Sequence, residues 1–196
     1  MNEITNDQTA SCEFDEVELE LKDKTVLIIG SGQDIDGRRM KNIIDGNHFD
    51  IVARVNKMYG NEQDIGTRTD FIFTRWQQWI KKGMNFFTDE TLKQAKKIIV
   101  LNQHVGYSES EKNELLFEVG HPAVSAGIQT IHYFLNRDVK KVCLIGFGHF
   151  QDGFKNEKKY CKNSHNYPNG MIDKNPHYDW SKEQHWMKNQ SKIVFL

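Results

Sequence analysis

Five short apolar runs recur along this chain, and their spacing constrains the fold more than any other feature. They occupy residues 25–30, 49–54, 71–74, 97–101 and 141–146. Apolar runs of about four to eight residues are typical of strands buried on both faces of a parallel sheet. Helical spacing at 38–45 and 125–137, and a Trp-rich segment around Trp76 and Trp79, predict helices between them. The alternation predicts one α/β domain with a Rossmann-like, open, mostly parallel sheet flanked by helices.

The composition fits one soluble domain. The chain has 196 residues, of which 38% are hydrophobic and 27% are charged. No apolar run approaches the roughly 18–20 residues that span a bilayer, and the N-terminus lacks the order of a signal peptide. Cys12, Cys143 and Cys161 have no metal-site or disulfide spacing, and Cys143 is expected in the core. We therefore expect a cytoplasmic protein without membrane contact.

The formal net charge of −1 is the sum of two unequal parts. Residues 1–24 carry eight acidic and two basic side chains, whereas residues 140–192 carry ten lysines and five acidic side chains. The first segment has little periodicity, so we predict an acidic N-terminal arm at 1–24 and a globular domain at 25–196. Within the basic part, the long polar segment 149–175 favours a functional loop.

Glycine turns follow the first and the fifth apolar runs. Their residues are Gly30, Ser31 and Gly32 in the first and Gly146, Phe147 and Gly148 in the second. Glycine allows a phosphate to approach the backbone, and ligands bind at the carboxyl ends of the strands in such sheets. Ile35 stands where the dinucleotide fingerprint needs a third glycine, which disfavours a nicotinamide cofactor. The pair predicts a nucleotide cleft, with plain tight turns as the alternative.

Histidines are concentrated near the C-terminus. His165, His177 and His185 lie close in sequence to Asp179 and Glu183. Imidazole titrates near neutrality and suits proton transfer or the stabilisation of a leaving phosphate. Their spacing does not match a metal-binding helix motif, so no metal site is predicted. Exposed surface histidines are the alternative.

Several other side chains admit two interpretations. Trp76 and Trp79 are spaced for one buried helix face, while Trp180 suits either the core or a stacked sugar ring. Arg54 suits either a phosphate or pairing with Asp64 or Asp70. A lysine cluster is either a solvated face or an attraction for an anionic acceptor; it consists of Lys155, Lys158, Lys159 and Lys162.

Four motifs in order resemble those of the animal-type sialyltransferases, glycosyltransferase family 29. The resemblance to the large motif covers residues 26–35 (VLIIGSGQDI), 44–45, 48–49, 54–56 and 64–69 (DIGTRT). The resemblance to the small motif covers residues 121–128 (HPAVSAGI) and 142–148 (VCLIGFG). His165 with the following Asn-Tyr resembles the third motif. His177 after Pro176, with Glu183 and 192–193, resembles the very small motif. The resemblance spans residues 25–193.

The resemblance implies that residues 25–196 form a glycosyltransferase domain, a sialyltransferase-type GT-A variant that binds a CMP-activated sugar. The implied donor contacts are Asn56, Ser125, Ala126 and Gly127, with Gly30, Ser31, Gly32, Gly146, Phe147 and Gly148 lining the cleft. His177 is implied as the general base on the acceptor hydroxyl and His165 as the group that stabilises the departing phosphate. Transfer would proceed with inversion, without a cofactor or a metal.

Departures from the family pattern leave the substrates open. Ser31 stands where the family usually has asparagine, and the bridging cysteine pair and membrane anchor of Golgi enzymes are missing. These changes suit a bacterial or phage cytosolic relative, with a sialic-acid-like, a Kdo-like or another nucleotide-linked sugar as donor. We expect a carbohydrate as the acceptor. The alternative is a modified base in phage DNA, which the lysine cluster would attract. His185 is the alternative base, and a non-catalytic nucleotide-binding module is a third hypothesis.

Overall fold

The computed structural model describes residues 21–56, 61–75, 89–104, 106–148, 158–159, 172–173 and 179–196. Its strands are β1 Thr25–Ile29, β2 Ile51–Val55, β3 Phe71–Thr74, β4 Lys97–Val100, β5 Lys141–Ile145, β6 Lys158–Lys159, β7 Ile172–Asp173 and β8 Ile193–Phe195. Six of them form one sheet in the order β4-β3-β2-β1-β5-β8, and every neighbouring pair is parallel. The pair β6 and β7 is a separate antiparallel ribbon. The predicted open, Rossmann-like α/β fold is confirmed.

Helices connect the strands. They are α1 Lys41–Asp45, α2 Glu62–Ile65, α3 Asp89–Gln94, α4 Glu109–Val119, α5 Ala126–Leu135 and α6 Trp180–Lys188, with short 3-10 helices at Gln33–Ile35 and Leu101–Gln103. Among the residues that the structure describes, none of these helices has the length and apolar character needed to cross a membrane.

Both faces of the sheet are buried, as the continuous apolar runs predict. One face packs against α5, where Phe71 and Phe73 meet Tyr133 and Phe134 with ring centroids 5.0–6.5 Å apart. A smaller cluster covers the other face and includes Ile44 of α1, Ile65 of α2 and the predicted core residue Cys143. Strand positions alternate between the two clusters because successive side chains point to opposite faces.

The order in which successive strands join the sheet reverses at its centre. From β1 the chain runs outward through β2 and β3 to β4, and it then returns to place β5 on the other side of β1. The connections that follow β1 and β5 therefore lead toward opposite edges of the sheet. The point between the two strands is the topological switch point where α/β sheets bind ligands. Both predicted glycine turns begin there.

The structure departs from the sequence expectation in several elements. Strand β8 and helices α2, α3, α4 and α6 were not predicted, and α1 begins at Lys41, three residues later than its pattern indicates. Arg39 has φ of 51°, a left-handed conformation that no α-helix contains. At the end of the predicted arm, Leu21 is buried in the core and the Asp23 amide donates to Asp138 O, while the boundary between arm and domain stays a prediction. Trp76 and Trp79 lie outside the described residues.

The Asp45 carboxylate ties the end of α1 to the loop before β3. One of its oxygens accepts hydrogen bonds from the amides of Thr67 (2.7 Å) and Arg68 (2.8 Å), and Lys41 Nζ lies 3.6 Å from the other. Burial alone would raise the pKa of Asp45, but the two amides, the Thr67 hydroxyl and Lys41 hold that pKa below its ordinary value. The ionised carboxylate is therefore the form that stabilises this loop.

We expect Asp45→Asn to lower the free energy of unfolding by about 1 kcal/mol at neutral pH. Because the folded pKa is depressed, the advantage of the unmodified protein is present above the ordinary value of 3.8 and is lost as the pH falls through the folded pKa. Urea unfolding of both proteins from neutral pH to about pH 3 measures the difference. A difference that does not shrink in acid would contradict this assignment.

Candidate functional site

The switch point brings the two glycine turns into direct contact. The Gly30 amide donates to Ile145 O and the Gly32 amide to Gly146 O, both at 2.8 Å. These bonds continue the β1–β5 ladder past the last residues of the strands. The predicted pairing of the two turns at one edge of the sheet is therefore present.

Contact between the turns accounts for the glycines themselves. A Cβ on Gly30 would lie 2.6 Å from Gly146 O, and a Cβ on Gly146 would lie 2.6 Å from Gly30 C. Gly146 also has φ of 81°, in the left-handed region that favours glycine. The turns thus need glycine in order to meet, before any ligand is considered.

Phe147 packs the second turn against the start of α5. Its side chain is buried, and Cβ atoms built on Gly30 and Gly127 would come within 2.8 and 2.7 Å of its ring. The aromatic ring therefore fills the space between the first turn and the helix. Because the side chain is buried, Phe147 contributes packing between the turn and α5 and does not present its ring to the surface.

The N-terminus of α5 is bound to α6 by a buried carboxylate. Ser125 is the N-cap of α5, and its hydroxyl oxygen accepts from the Ile128 amide at 3.4 Å. Glu183 of α6 is fully buried, and it accepts hydrogen bonds from the Ser125 amide at 2.6 Å and the Ser125 hydroxyl at 2.8 Å. The parts of the chain that resemble the small and the very small motif are thus adjacent in space.

Asn56 stands at the same edge of the sheet, directly after β2. It has φ of 59°, and its amide donates to Phe73 O at 2.6 Å. Its side-chain Oδ1 is buried, and no hydrogen-bond partner for it occurs among the residues that the structure describes. A buried acceptor without a donor is costly, and a ligand that supplies an N–H or O–H group would remove that cost.

Gln129 presents a second such acceptor and was not predicted. Its side chain is buried in α5, where Nε2 donates to Val124 O at 3.1 Å. No described residue donates to its Oε1. Gln129 is one of three polar residues, with Thr130 and His132, in an otherwise mostly apolar helix. The polar residue at a buried position was the signal that could have identified it.

Arg54 binds backbone rather than carboxylates. Its guanidinium donates to the carbonyls of Ile65, Gly66 and Arg68 and to the Thr69 hydroxyl, at 2.8–3.3 Å. Burial lowers its pKa to about 10, which leaves it charged at neutral pH. Its Nη1 meets no acceptor in the described ranges. The contacts of Arg54 among the described residues therefore hold the 65–69 loop and no carboxylate, and the contact of Arg54 with a phosphate stays a prediction.

The acidic side chains near Arg54 have other partners. Asp70 pairs with Arg68 at 3.0 Å and with Lys96 at 2.8 Å. Asp64 accepts from the Arg39 amide and from Asn61, and these contacts lower its pKa. The predicted pairing of Arg54 with Asp64 or Asp70 is thus not found in the described part of the chain.

The C-terminal side chains divide between described and undescribed residues. His165 and His177 lie outside the described residues, as do Lys155 and Lys162 of the lysine cluster. His185 is exposed on α6, with Nε2 3.3 Å from Asn189 Nδ2. Trp180 is buried in the core, which favours packing over sugar stacking for this ring.

The fold is like that of sialyltransferases of known structure. No protein-family model and no curated protein matches the chain. Among solved structures, a mammalian sialyltransferase in complex with Gal-β-1-3GalNAc-ortho-nitrophenol is 16% identical at a TM-score of 0.57, covering 89% of this chain and 69% of that one. A second structure of a mammalian sialyltransferase gives 0.56 at 16% identity over the same shares. At this identity the likeness establishes the fold, and the structural neighbours of this chain are sialyltransferases.

Proposed function

We propose that the protein is an inverting glycosyltransferase that moves a sugar from a CMP-activated donor to an acceptor hydroxyl. The observation that carries the proposal is the edge of the sheet at the β1–β5 switch point, on a fold shared with sialyltransferases. Two glycine turns, Asn56 and the N-terminus of α5 lie along that edge. The motif resemblance points to the same positions.

Two features of this edge support a nucleotide as the ligand. Within the described part of the chain no donor reaches the Oδ1 of Asn56, and a base amino group or a ribose hydroxyl would supply one. The amides of Ala126 and Gly127 stand in the first turn of α5, where no intrahelical carbonyl reaches them. Because Ser125 is engaged by Glu183, we assign the phosphate contact to these two amides.

In the proposed reaction the acceptor oxygen bonds to the anomeric carbon while the bond from that carbon to the CMP phosphate oxygen breaks. His177 takes the hydroxyl proton, and CMP leaves with the bonding electrons. His165 stabilises the charge that develops on the phosphate. These two roles rest on the motif resemblance. We propose no metal and no cofactor, a sialic-acid-like or Kdo-like sugar, and a carbohydrate acceptor; among the described residues no observation favours modified DNA.

We expect His177→Ala to lower kcat for sugar transfer at least about 100-fold while the Kd for CMP stays within about twofold. The reason is that a general base acts on the acceptor and makes no contact with the nucleotide. Transfer from CMP-sugars measures the first effect. Thermal protection by CMP, compared with UMP, AMP and GMP, measures the second.

The matched control is His185→Ala, which removes an exposed imidazole from the same part of the chain. It is expected to transfer sugar at the unmodified rate. Unchanged turnover in His177→Ala together with loss in His185→Ala would assign the base to His185. Thermal protection by another nucleotide and not by CMP would contradict the proposed donor. Binding of CMP without transfer to any glycan acceptor would indicate a non-catalytic nucleotide-binding module.

A further inference from the structure

Asp34 joins the two glycine turns. It lies in the 3-10 helix Gln33–Ile35 that follows the first turn. Its Oδ2 accepts a hydrogen bond from the Gly146 amide and its Oδ1 accepts one from the Gly148 amide, both at 2.8 Å. One carboxylate thus fixes two amides of the second turn relative to the first, across 112 and 114 positions of sequence.

The carboxylate fits between the turns without spare room. A Cβ on Gly148 would lie 2.8 Å from Asp34 Cβ, and a Cβ on Gly32 would lie 2.6 Å from Asp34 Oδ1. Both distances are far inside van der Waals contact, so a side chain at either position would displace Asp34. Glycine at 32 and 148 is therefore what admits the carboxylate.

Backbone amides that converge on one point form a concavity that binds anions. In the second turn this anion is the chain's own Asp34, so the amides of Gly146 and Gly148 are satisfied before a substrate arrives. A donor phosphate could bind these amides only by displacing a carboxylate held by two short hydrogen bonds. The turn is in this way closed to phosphate and held in one conformation.

We propose that Asp34 is a positioning residue of the donor site, which holds the 146–148 turn as a rigid wall of the cleft and keeps the donor phosphate off its amides. The proposal rests on the proposed function, because a nucleotide donor must occupy this edge of the sheet. Pre-ordering a wall of a site raises affinity by removing the cost of ordering it on binding. Asp34 acts through the turn and touches no reacting atom.

The test is Asp34→Asn. Asparagine keeps the size but offers one acceptor oxygen and sets an NH2 group against the second amide. We expect the Kd for CMP and the KM for the CMP-sugar to rise at least about tenfold, with kcat within about threefold of the unmodified value. Hydrogen exchange of the Gly146 and Gly148 amides, followed by NMR, is expected to accelerate.

Asp45→Asn is the matched control, because Asp45 also accepts from two backbone amides, at 2.7 and 2.8 Å, but holds the loop before β3. It is expected to lose stability and keep the Kd for CMP. The proposal would be overturned if Asp34→Asn bound CMP as tightly as the unmodified chain. It would also be overturned if Asp45→Asn lost as much affinity for CMP as Asp34→Asn does. Asp34→Ser, expected to weaken CMP in the same way, decides the matter if the asparagine variant does not fold. Failure of the unmodified chain to bind CMP is a separate result, which rejects the donor assignment itself.

Discussion

Gly146→Ala is expected to lower the free energy of unfolding by about 4 kcal/mol. Two costs combine at this position. The backbone has φ of 81°, which an L-residue with a side chain adopts only under strain, and the added Cβ would meet Gly30 C at 2.6 Å and Gly30 O at 2.7 Å. Both contacted atoms are backbone of the central strand end, which cannot move without separating β1 from β5. Denaturant unfolding monitored by circular dichroism gives the difference.

Gly120→Ala separates the two costs. Gly120 ends α4 with φ of 67°, and a Cβ there would meet nothing within 4 Å. Its replacement therefore carries only the conformational cost, about 1 kcal/mol. Equal losses in the two variants would mean that the turns can separate freely. The interpretation of the switch point as a tight joint would then be wrong.

The sheet could be predicted from sequence because its strands are buried on both faces. Each of the five predicted runs matches a strand to within two residues, since a continuous apolar run bounded by polar or glycine residues is a local signal. Strand β8 has only three residues, Ile193–Phe195, and pairs with β5 alone, so no local pattern distinguishes it from the end of a loop. Helix α4 buries only Leu115 and Val119 along its length, too few for a periodic apolar face.

The partners within the candidate site could not be predicted, because they depend on distant segments. The glycines of the two turns were identified from their place after apolar runs, but the reason for them is a contact between positions more than a hundred residues apart. Asp34 has no local signal of its role, because it accepts from the amides of Gly146 and Gly148, more than a hundred residues along the chain. For Arg54 the sequence left a phosphate and an acidic side chain as alternatives, and it did not indicate the carbonyls of the 65–69 loop that the guanidinium contacts. Contacts between residues that are close in space but distant along the chain leave no recognisable pattern in the sequence.

Glu183→Leu is expected to cost about 3 kcal/mol of unfolding free energy. The carboxylate is fully buried and accepts from both the amide and the hydroxyl of Ser125, at 2.6 and 2.8 Å. Leucine fills similar space but leaves both Ser125 donors without this acceptor in the interior. Glu183→Gln keeps one acceptor oxygen and can donate to the Ser125 hydroxyl oxygen, so a loss of about 1 kcal/mol is expected.

Glu118→Leu is the control variant, because it also removes a hydrogen-bonded carboxylate, but one that is exposed to solvent. Glu118 on α4 accepts from Trp186 Nε1 at 2.8 Å, and water can replace it there, so less than about 1 kcal/mol is expected. Urea unfolding of Glu183→Leu, Glu183→Gln and Glu118→Leu ranks the three variants by their loss of unfolding free energy. If Glu183→Leu were no worse than the control, the carboxylate would not be what fastens α6 to α5. Since Ser125 caps the helix proposed to bind the donor phosphate, loss of the Glu183 contact would also release the segment that resembles the small motif from helix α6.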